Sequence, residues 1–389
     1  MAHITEFSVF GLAGRKGCYS QRLNRDVNIF YGLNGSGKTS LLKILDSAMN
    51  HDATTLERVP FKSAEVRIYS ILYDKVFTHT IERLSGRKRE DIQITIDTDS
   101  FVISDAVSKQ FRKSARLAWK IKPKGSEETS FWSHQYLPTS RLYVGPSRLR
   151  STAIASQVGL SQLSEEELDL YFADALQALW LSYSNNILSI VRKAQEEGLA
   201  NILRAVLSTK KKRQVAPKTD SQTMYNRVAA FLERQGSADV LGPFESFEAR
   251  YLEDPRLKSV VGDINSVEKK IEQAMVPRDK LQSLIRSMFS GKEVLFKDNS
   301  IDVQINDRVS IGLSQLSSGE KQLLWIFVET LLAGDNSILI DEPEISMHVD
   351  WQKQLVAAMQ KLSPSAQLIL ATHSPEIMAD IPNDRIFPL

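Results

Sequence analysis

The stretch Gly32-Leu33-Asn34-Gly35-Ser36-Gly37-Lys38-Thr39 has the residue types and spacing to handle phosphate. It fits the pattern G-x-x-x-x-G-K-[ST] at every fixed position. Gly35 and Gly37 permit backbone conformations that a side chain would forbid, so successive N–H groups converge into a nest for phosphate oxygens. A helix starting at the end of the motif adds its free N–H groups and its dipole. Lys38 is placed to reach β- and γ-phosphates, and the Thr39 hydroxyl to bind Mg²⁺. The candidate nucleotide-binding residues are therefore Asn34, Gly35, Ser36, Gly37, Lys38, Thr39 and Ser40. The bland alternative is a glycine-rich turn ahead of a helix, and the setting argues against it. Residues 27–31 read as a short buried strand. Residues 40–48 open an amphipathic helix with Leu41, Leu42, Ile44, Leu45 and Ala48 on or near one face.

Three later stretches add groups that a bound polyphosphate would need. Residues 337–340 form an apolar strand that ends in Asp341 and Glu342. Asp341 can hold Mg²⁺ through water, and Glu342 can orient the attacking water or accept its proton. A solvated acidic turn is the ordinary reading of an Asp-Glu pair; a phosphate loop in the same chain weakens it. His373 follows a second buried strand, residues 367–371, where an imidazole can donate to the γ-phosphate or hold the water and the carboxylate in line. Leu316-Ser317-Ser318-Gly319-Glu320-Lys321-Gln322 sits at a loop-to-helix junction. There Ser317, Ser318 and Gly319 present hydroxyls and N–H groups to an anion. Alone, the last stretch is a common helix cap.

Those groups must be positioned by elements legible in the pattern. The 389 residues are 42% hydrophobic and 25% charged, which allows a core of useful size in one to three domains. The formal net charge of +2 imposes no global field toward nucleic acid or membrane. One cysteine, Cys18, excludes an intramolecular disulfide. With no signal-peptide layout at the N-terminus and no apolar run long enough to span a bilayer, the expectation is a cytoplasmic protein without a membrane partner. Residues 3–10 read as an edge strand, and residues 11–19 as a loop with Arg15 and Lys16 at its tip. Alternating runs at residues 65–73, 91–97 and 141–145, with a weaker one at 118–121, predict a mixed sheet with an antiparallel portion.

Past residue 151 the pattern turns helical. Ser164 to Glu167 reads as a capping box before a helix that pauses at Gly198 and resumes to Leu207. Further helical runs cover residues 224–234, 244–252 and 266–289, the last interrupted by Pro277. This insert is too short for a long coiled-coil arm. The basic run at residues 210–213 reads first as a solvated loop. From residue 300 strands and helices alternate, ending in a short strand at 386–387, which implies parallel strands with crossover helices.

Taken in order, the phosphate loop, residues 316–322, residues 338–342 and His373 resemble the P-loop, signature, Walker B and switch histidine of ABC-type ATPases. The resemblance implies an α/β fold: an ABC-type P-loop NTPase head, with a mixed-sheet lobe and a parallel-sheet lobe, carrying a helical insertion. It divides the chain into ATPase lobe I (1–149), a mainly helical insertion (150–299) and ATPase lobe II (300–389). It implies ATP and Mg²⁺ as ligands, Thr39 and Asp341 at the metal, Glu342 and His373 as catalytic residues, and Ser317, Ser318 and Gly319 closing on nucleotide held by a second head. Residues 341–348 and 372–377 are similar to the OLD-like and RecF/SMC-like branch, in particular to ATPase components of anti-phage systems such as PARIS, Septu and retron-associated ATPases. The implied function is a nucleotide-driven switch or sensor controlling a separate effector, a nuclease or toxin. The alternative is a RecF/SMC-like repair or recombination ATPase that binds DNA, with Arg87-Lys88-Arg89 and residues 210–213 as local basic patches. Two departures stand out. No glutamine follows residue 145, where the Q-loop would lie and where Ser147 or Arg148 stands. No Toprim-length stretch follows His373.

Overall fold

The computed structural model describes residues 2–83, 120–122, 134–137, 164–207, 221–234, 236–237, 240–305 and 309–389. The runs at 91–97 and 141–145, Ser147, Arg148, Arg87-Lys88-Arg89 and the basic run at 210–213 lie outside the described residues.

In chain order the elements are β1 (Ala2–Phe10), β2 (Cys18–Arg22), β3 (Val27–Tyr31), α1 (Lys38–Asn50), β4 (Ser63–Ser70), β5 (Lys75–Glu82), β6 (Lys120–Lys122) and β7 (His134–Leu137). Next are α2 (Glu165–Leu207), α3 (Ser221–Arg234), α4 (Phe244–Glu253), α5 (Pro255–Met288), β8 (Lys292–Phe296), β9 (Ile301–Ile305) and β10 (Val309–Ile311). The chain continues through α6 (Ser318–Ala333), β11 (Ser337–Asp341), α7 (Val349–Leu362), β12 (Gln367–Thr372), α8 (Pro375–Met378) and β13 (Ile386–Pro388).

A parallel sheet in the order β13-β3-β12-β11-β7 is the centre of the molecule. Its strands β3, β11 and β12 are largely apolar on both faces because both are covered. Successive side chains alternate between two cores. Val27, Ile29, Ile338, Ile340, Leu368 and Leu370 face a core shared with α6, α7 and the base of α2. Phe30, Leu339, Ile369 and Ala371 face a second core filled by α1 and by an antiparallel sheet, β2-β1-β4-β5-β6. The strand that enters the phosphate loop thus lies among the C-terminal strands, between β13 and β12.

Several sequence expectations are corrected. β1 is not an edge strand, since it pairs with β2 on one side and β4 on the other. A bulge between Ile4 and Glu6 shifts its parity, so Ile4, Phe7 and Val9 are all buried while Phe10 is exposed. The expected loop ends early, because β2 starts at Cys18. α2 runs unbroken for 43 residues through Gly198, and α5 for 34 residues through Pro277. The missing N–H of Pro277 costs one helical hydrogen bond. Ile271 before it and Leu281 and Ile285 after it are buried and hold both halves in place.

α2 and α5 pack antiparallel: Gly198 meets Val267, and Lys270 pairs with Glu197 at 3.0 Å. The pair makes a projection on the order of 50 Å long, at 1.5 Å per residue. At its root the buried Trp180 rests on Phe296, and its indole N–H donates to the Lys297 carbonyl at 2.6 Å. At its tip α3, α4 and α5 share a small core of Met224, Val228, Phe247, Tyr251, Val261 and Ile264. The start of α2 is capped as its sequence indicates. Ser164 N–H donates to Glu167 Oε2 at 2.7 Å, and Glu167 N–H to Ser164 Oγ at 3.2 Å.

Candidate functional site

Three neighbouring parallel strands, β3, β12 and β11, end at the same level, with Tyr31 opposite Thr372 and Ala371 opposite Asp341. The loops leaving these strands therefore meet at the carboxyl edge of the sheet, where open α/β sheets bind ligands.

After β3, the loop from Gly32 turns into α1. Gly35 has φ 81° and Gly37 φ 102°, values that side chains disfavour, and a Cβ on Gly37 would stand 2.9 Å from the Ala13 Cβ. Lys38 is buried and folds back, donating from Nζ to the Gly32 carbonyl at 2.7 Å and the Leu33 carbonyl at 3.2 Å. Ser36 Oγ is buried without a hydrogen-bond partner, although a buried hydroxyl ordinarily has one. The cleft beside the loop holds about 410 Å³ and is lined by Asn34, Gly35, Ser36, Gly37, Lys38, Thr39 and Ser40, with Ala13 and Pro60 on one side and Glu342 on the other. An N–H nest, a buried hydroxyl in need of an acceptor and a lysine ammonium suit a polyphosphate.

After β11 comes the acidic turn. Asp341 is buried at the strand end, and Glu342 adopts φ 47°, a left-handed conformation uncommon outside glycine. Its N–H is tied to the Ala371 carbonyl at 2.7 Å. Burial raises the pKa of Glu342, and the carboxylates of Asp341 and Glu344 add to the rise against the opposing pull of His373 and Lys38.

After β12 comes His373, roughly half exposed. Its Nδ1 stands 4.0 Å from Glu342 Oε1 and 3.0 Å from Glu344 Oε1. The sequence pattern does not single out Glu344 as a site residue. It is buried, and its Oε1 accepts from Thr372 Oγ1 at 2.7 Å and from His373 N–H at 2.8 Å. A carboxylate in the turn directly after an apolar acid-ended strand is the signal available for it.

The stretch 316–322 is placed differently. Ser317 caps α6 in a reciprocal box: its N–H and hydroxyl donate to Glu320 Oε2, each at 2.8 Å, and its oxygen accepts from Glu320 N–H at 3.4 Å. Burial would raise the Glu320 pKa; Lys292, 2.7 Å away, and Ser317 outweigh it and hold the carboxyl below its usual range. Ser317 and Ser318 are exposed, and with Gly319 they do not line the phosphate-loop cleft. Gly319 instead packs under the acidic turn: a Cβ there would lie 2.4 Å from the Ser346 carbonyl oxygen. Gln322 donates to the Pro343 carbonyl at 2.8 Å. A single chain thus joins the loop to Glu342, and Glu342 to His373 through the acidic turn, while the Ser317 cap faces elsewhere.

The chain has recognisable relatives. It is 31% identical over 96 residues to the retron Ec83 probable ATPase of Escherichia coli and 30% identical over 95 residues to the retron Vc95 probable ATPase of Vibrio cholerae serotype O1 biovar El Tor. Each match covers 21% of this chain and 18% of the relative, so the chain aligns with less than a fifth of these relatives' length. Among solved structures, an Smc head domain with an extended coiled coil bound to the C-terminal domain of ScpA, from Pyrococcus furiosus, aligns over 97% of this chain and 92% of its own, at 12% identity and a TM-score of 0.43. The SMC head domain from Thermotoga maritima aligns over 97% and 91%, at 10% identity and a TM-score of 0.39. Among the described residues no helix is long and apolar enough to cross a membrane. Residues 27–379, most of the chain, match the family described as "AAA domain, putative AbiEii toxin, Type IV TA system", and the protein belongs to that family.

Proposed function

We propose that this protein binds and hydrolyses ATP and uses the cycle as a switch that controls a separate effector, a nuclease or toxin, in anti-phage defence. The observation that carries the reading is the cleft in which the glycine loop, Lys38 and the carboxylate of Glu342 meet. Residues 35–40 bind the phosphates through N–H groups, the Ser36 hydroxyl and Lys38. Thr39 and Asp341 would hold Mg²⁺, which would supply charge neutralisation for the phosphates. Glu342 orients the attacking water and accepts its proton, and burial makes it a stronger base than an ordinary glutamate. His373 steadies the γ-phosphate or the water.

Ser317 and Ser318, exposed and outside their own cleft, are free to close, with the cap they share with Gly319, on nucleotide bound by a second copy. On this reading residues 1–149 and 300–389 are the ATPase head and 150–299 the insertion that meets the trigger or the effector. The relatives named as retron ATPases support the defence role.

The test begins with phosphate release by the purified chain. The wild type should turn over ATP, and Lys38→Ala should lose productive binding. A wild-type chain that binds no ATP would end the proposal. Ser317→Arg should spare binding and remove turnover; full activity in that variant would remove the two-copy closure. A pull-down of the Glu342→Gln form from its native cells should recover a stoichiometric small protein. Recovery of DNA with no protein partner would favour the repair reading.

A further inference from the structure

We infer that Glu344 is a positioning residue that sets the tautomer and orientation of His373. The inference rests on the proposed ATPase reading for its kinetic consequence and on geometry alone for its structural content. Two donors converge on Glu344 Oε1, the Thr372 hydroxyl at 2.7 Å and the His373 backbone N–H at 2.8 Å, and they fix the backbone at the end of β12. The imidazole Nδ1 stands 3.0 Å from the same oxygen. A lone pair on Nδ1 would face the carboxylate's own lone pairs, so that closeness favours hydrogen on Nδ1. In the neutral ring Nε2 is then the lone-pair nitrogen left for substrate or water.

The partner is matched to the task by its burial. The Glu344 side chain is 5% exposed, against 20% for Glu342 and 48% for His373. Glu342 Oε1 stands farther from Nδ1, at 4.0 Å, so Glu344 is the nearer carboxylate to the ring and the Glu342 carboxylate is left for water. The two glutamates of the turn thus divide the work: Glu342 is open to the cleft, while Glu344 is sealed behind it. Ser374 locks the same corner, with its N–H donating to Thr372 Oγ1 at 2.9 Å and its hydroxyl to Gln352 at 2.7 Å. Ring orientation is thereby carried into α7.

The experiment reads the ring directly. Long-range ¹H–¹⁵N spectra of the full chain labelled at its 6 histidines, with His373 assigned through His373→Ala, should show the Nδ1–H form in the wild type. Glu344→Gln, whose carbonyl oxygen can accept from Thr372 and the His373 N–H and still face Nδ1, should keep that form. Glu344→Ala should lose it. An Nε2–H form in the wild type, or an Nδ1–H form surviving in Glu344→Ala, overturns the inference; if the alanine variant does not fold, loss of the Nδ1–H form in Glu344→Gln overturns it instead. In the kinetic arm, Glu344→Ala should lower kcat by about 10- to 100-fold with KM nearly unchanged, and Glu344→Gln should restore most of it. In the His373→Ala background Glu344→Ala should then cost nothing further, whereas additive losses overturn the coupling. A wild-type chain with the expected tautomer and no turnover would remove the ATPase reading and leave the positioning role standing.

Discussion

The loop after β3 and the turn after β11 face the same cleft and are built on opposite principles. The loop takes its shape from residues without side chains, with positive φ at Gly35 and Gly37. The acidic turn takes positive φ at Glu342 and Ser346, where side chains make that conformation costly. It is held from outside: Glu342 N–H by the Ala371 carbonyl, the Pro343 carbonyl by Gln322, and the Ser346 carbonyl pressed against Gly319. A loop that presents backbone N–H groups can be locally determined. A turn that must present carboxylates cannot use glycine, so its strain is borne by neighbouring elements. The proposed function assigns binding to the loop and turnover to the turn, and that division can be broken experimentally.

The largest effect should come from Glu342→Gln, which keeps shape and removes the base. We expect kcat to fall about 10²- to 10⁴-fold with ATP affinity retained. Hydrolysis at the wild-type rate would show that the turn does not carry the proton. Gly37→Ala addresses the other half. Its φ of 102° and the Ala13 Cβ at 2.9 Å should force the loop open and weaken ATP binding by about 10- to 100-fold, as strain of roughly 1–3 kcal/mol implies. Calorimetric affinity equal to wild type would mean the loop tolerates a side chain. Gly319→Ala links the two regions, since it sets a methyl 2.4 Å from the Ser346 carbonyl oxygen, remote from the phosphate loop. Overpacking of that kind should cost about 1–3 kcal/mol in denaturant unfolding and lower turnover while sparing affinity. An unchanged midpoint would show that the turn is not clamped there.

The same contrast explains what can be read from the sequence. The phosphate loop is legible because glycine spacing is itself the structure. The strand ending in Asp341 is legible because Ile338-Leu339-Ile340 must be buried on both faces. β1 is legible as a strand but its internal place is not, since a bulge between Ile4 and Glu6 hides the single face that it buries. Gly198 reads as a pause in a helix until Val267 is seen to need the space. Glu344 has no periodicity to announce it; its importance comes from Thr372 and His373, 28 and 29 residues away. Residues fixed by local backbone demands are visible in one sequence, and residues fixed by a tertiary partner are not.

The acidic turn also predicts a pH effect. Burial raises the Glu342 pKa, so its charged form is disfavoured in the folded chain. The group's contribution to stability is present below its unfolded pKa and declines as pH rises through the interval up to its folded pKa. For activity the sign reverses, because only the carboxylate can accept the proton. The acid limb of kcat/KM against pH should therefore lie above the usual carboxylate range, and a limb within that range would mean that Glu342 is as well hydrated as a surface carboxylate.

The smallest effect tests whether the turn stores strain at all. Ser346 is exposed at φ 62°, one residue before the buried Met347, and glycine there removes a left-handed penalty of about 1–2 kcal/mol. The unfolded chain gains freedom with glycine, which offsets about 0.4–1 kcal/mol. Ser346→Gly should thus leave stability unchanged or raise it by about 1 kcal/mol, with kcat held, in contrast to every substitution that adds bulk to the phosphate loop. A loss of more than about 1 kcal/mol in denaturant unfolding would mean that the serine side chain supports the turn. The strain would then be confined to Glu342, the one residue of the turn that must face the cleft.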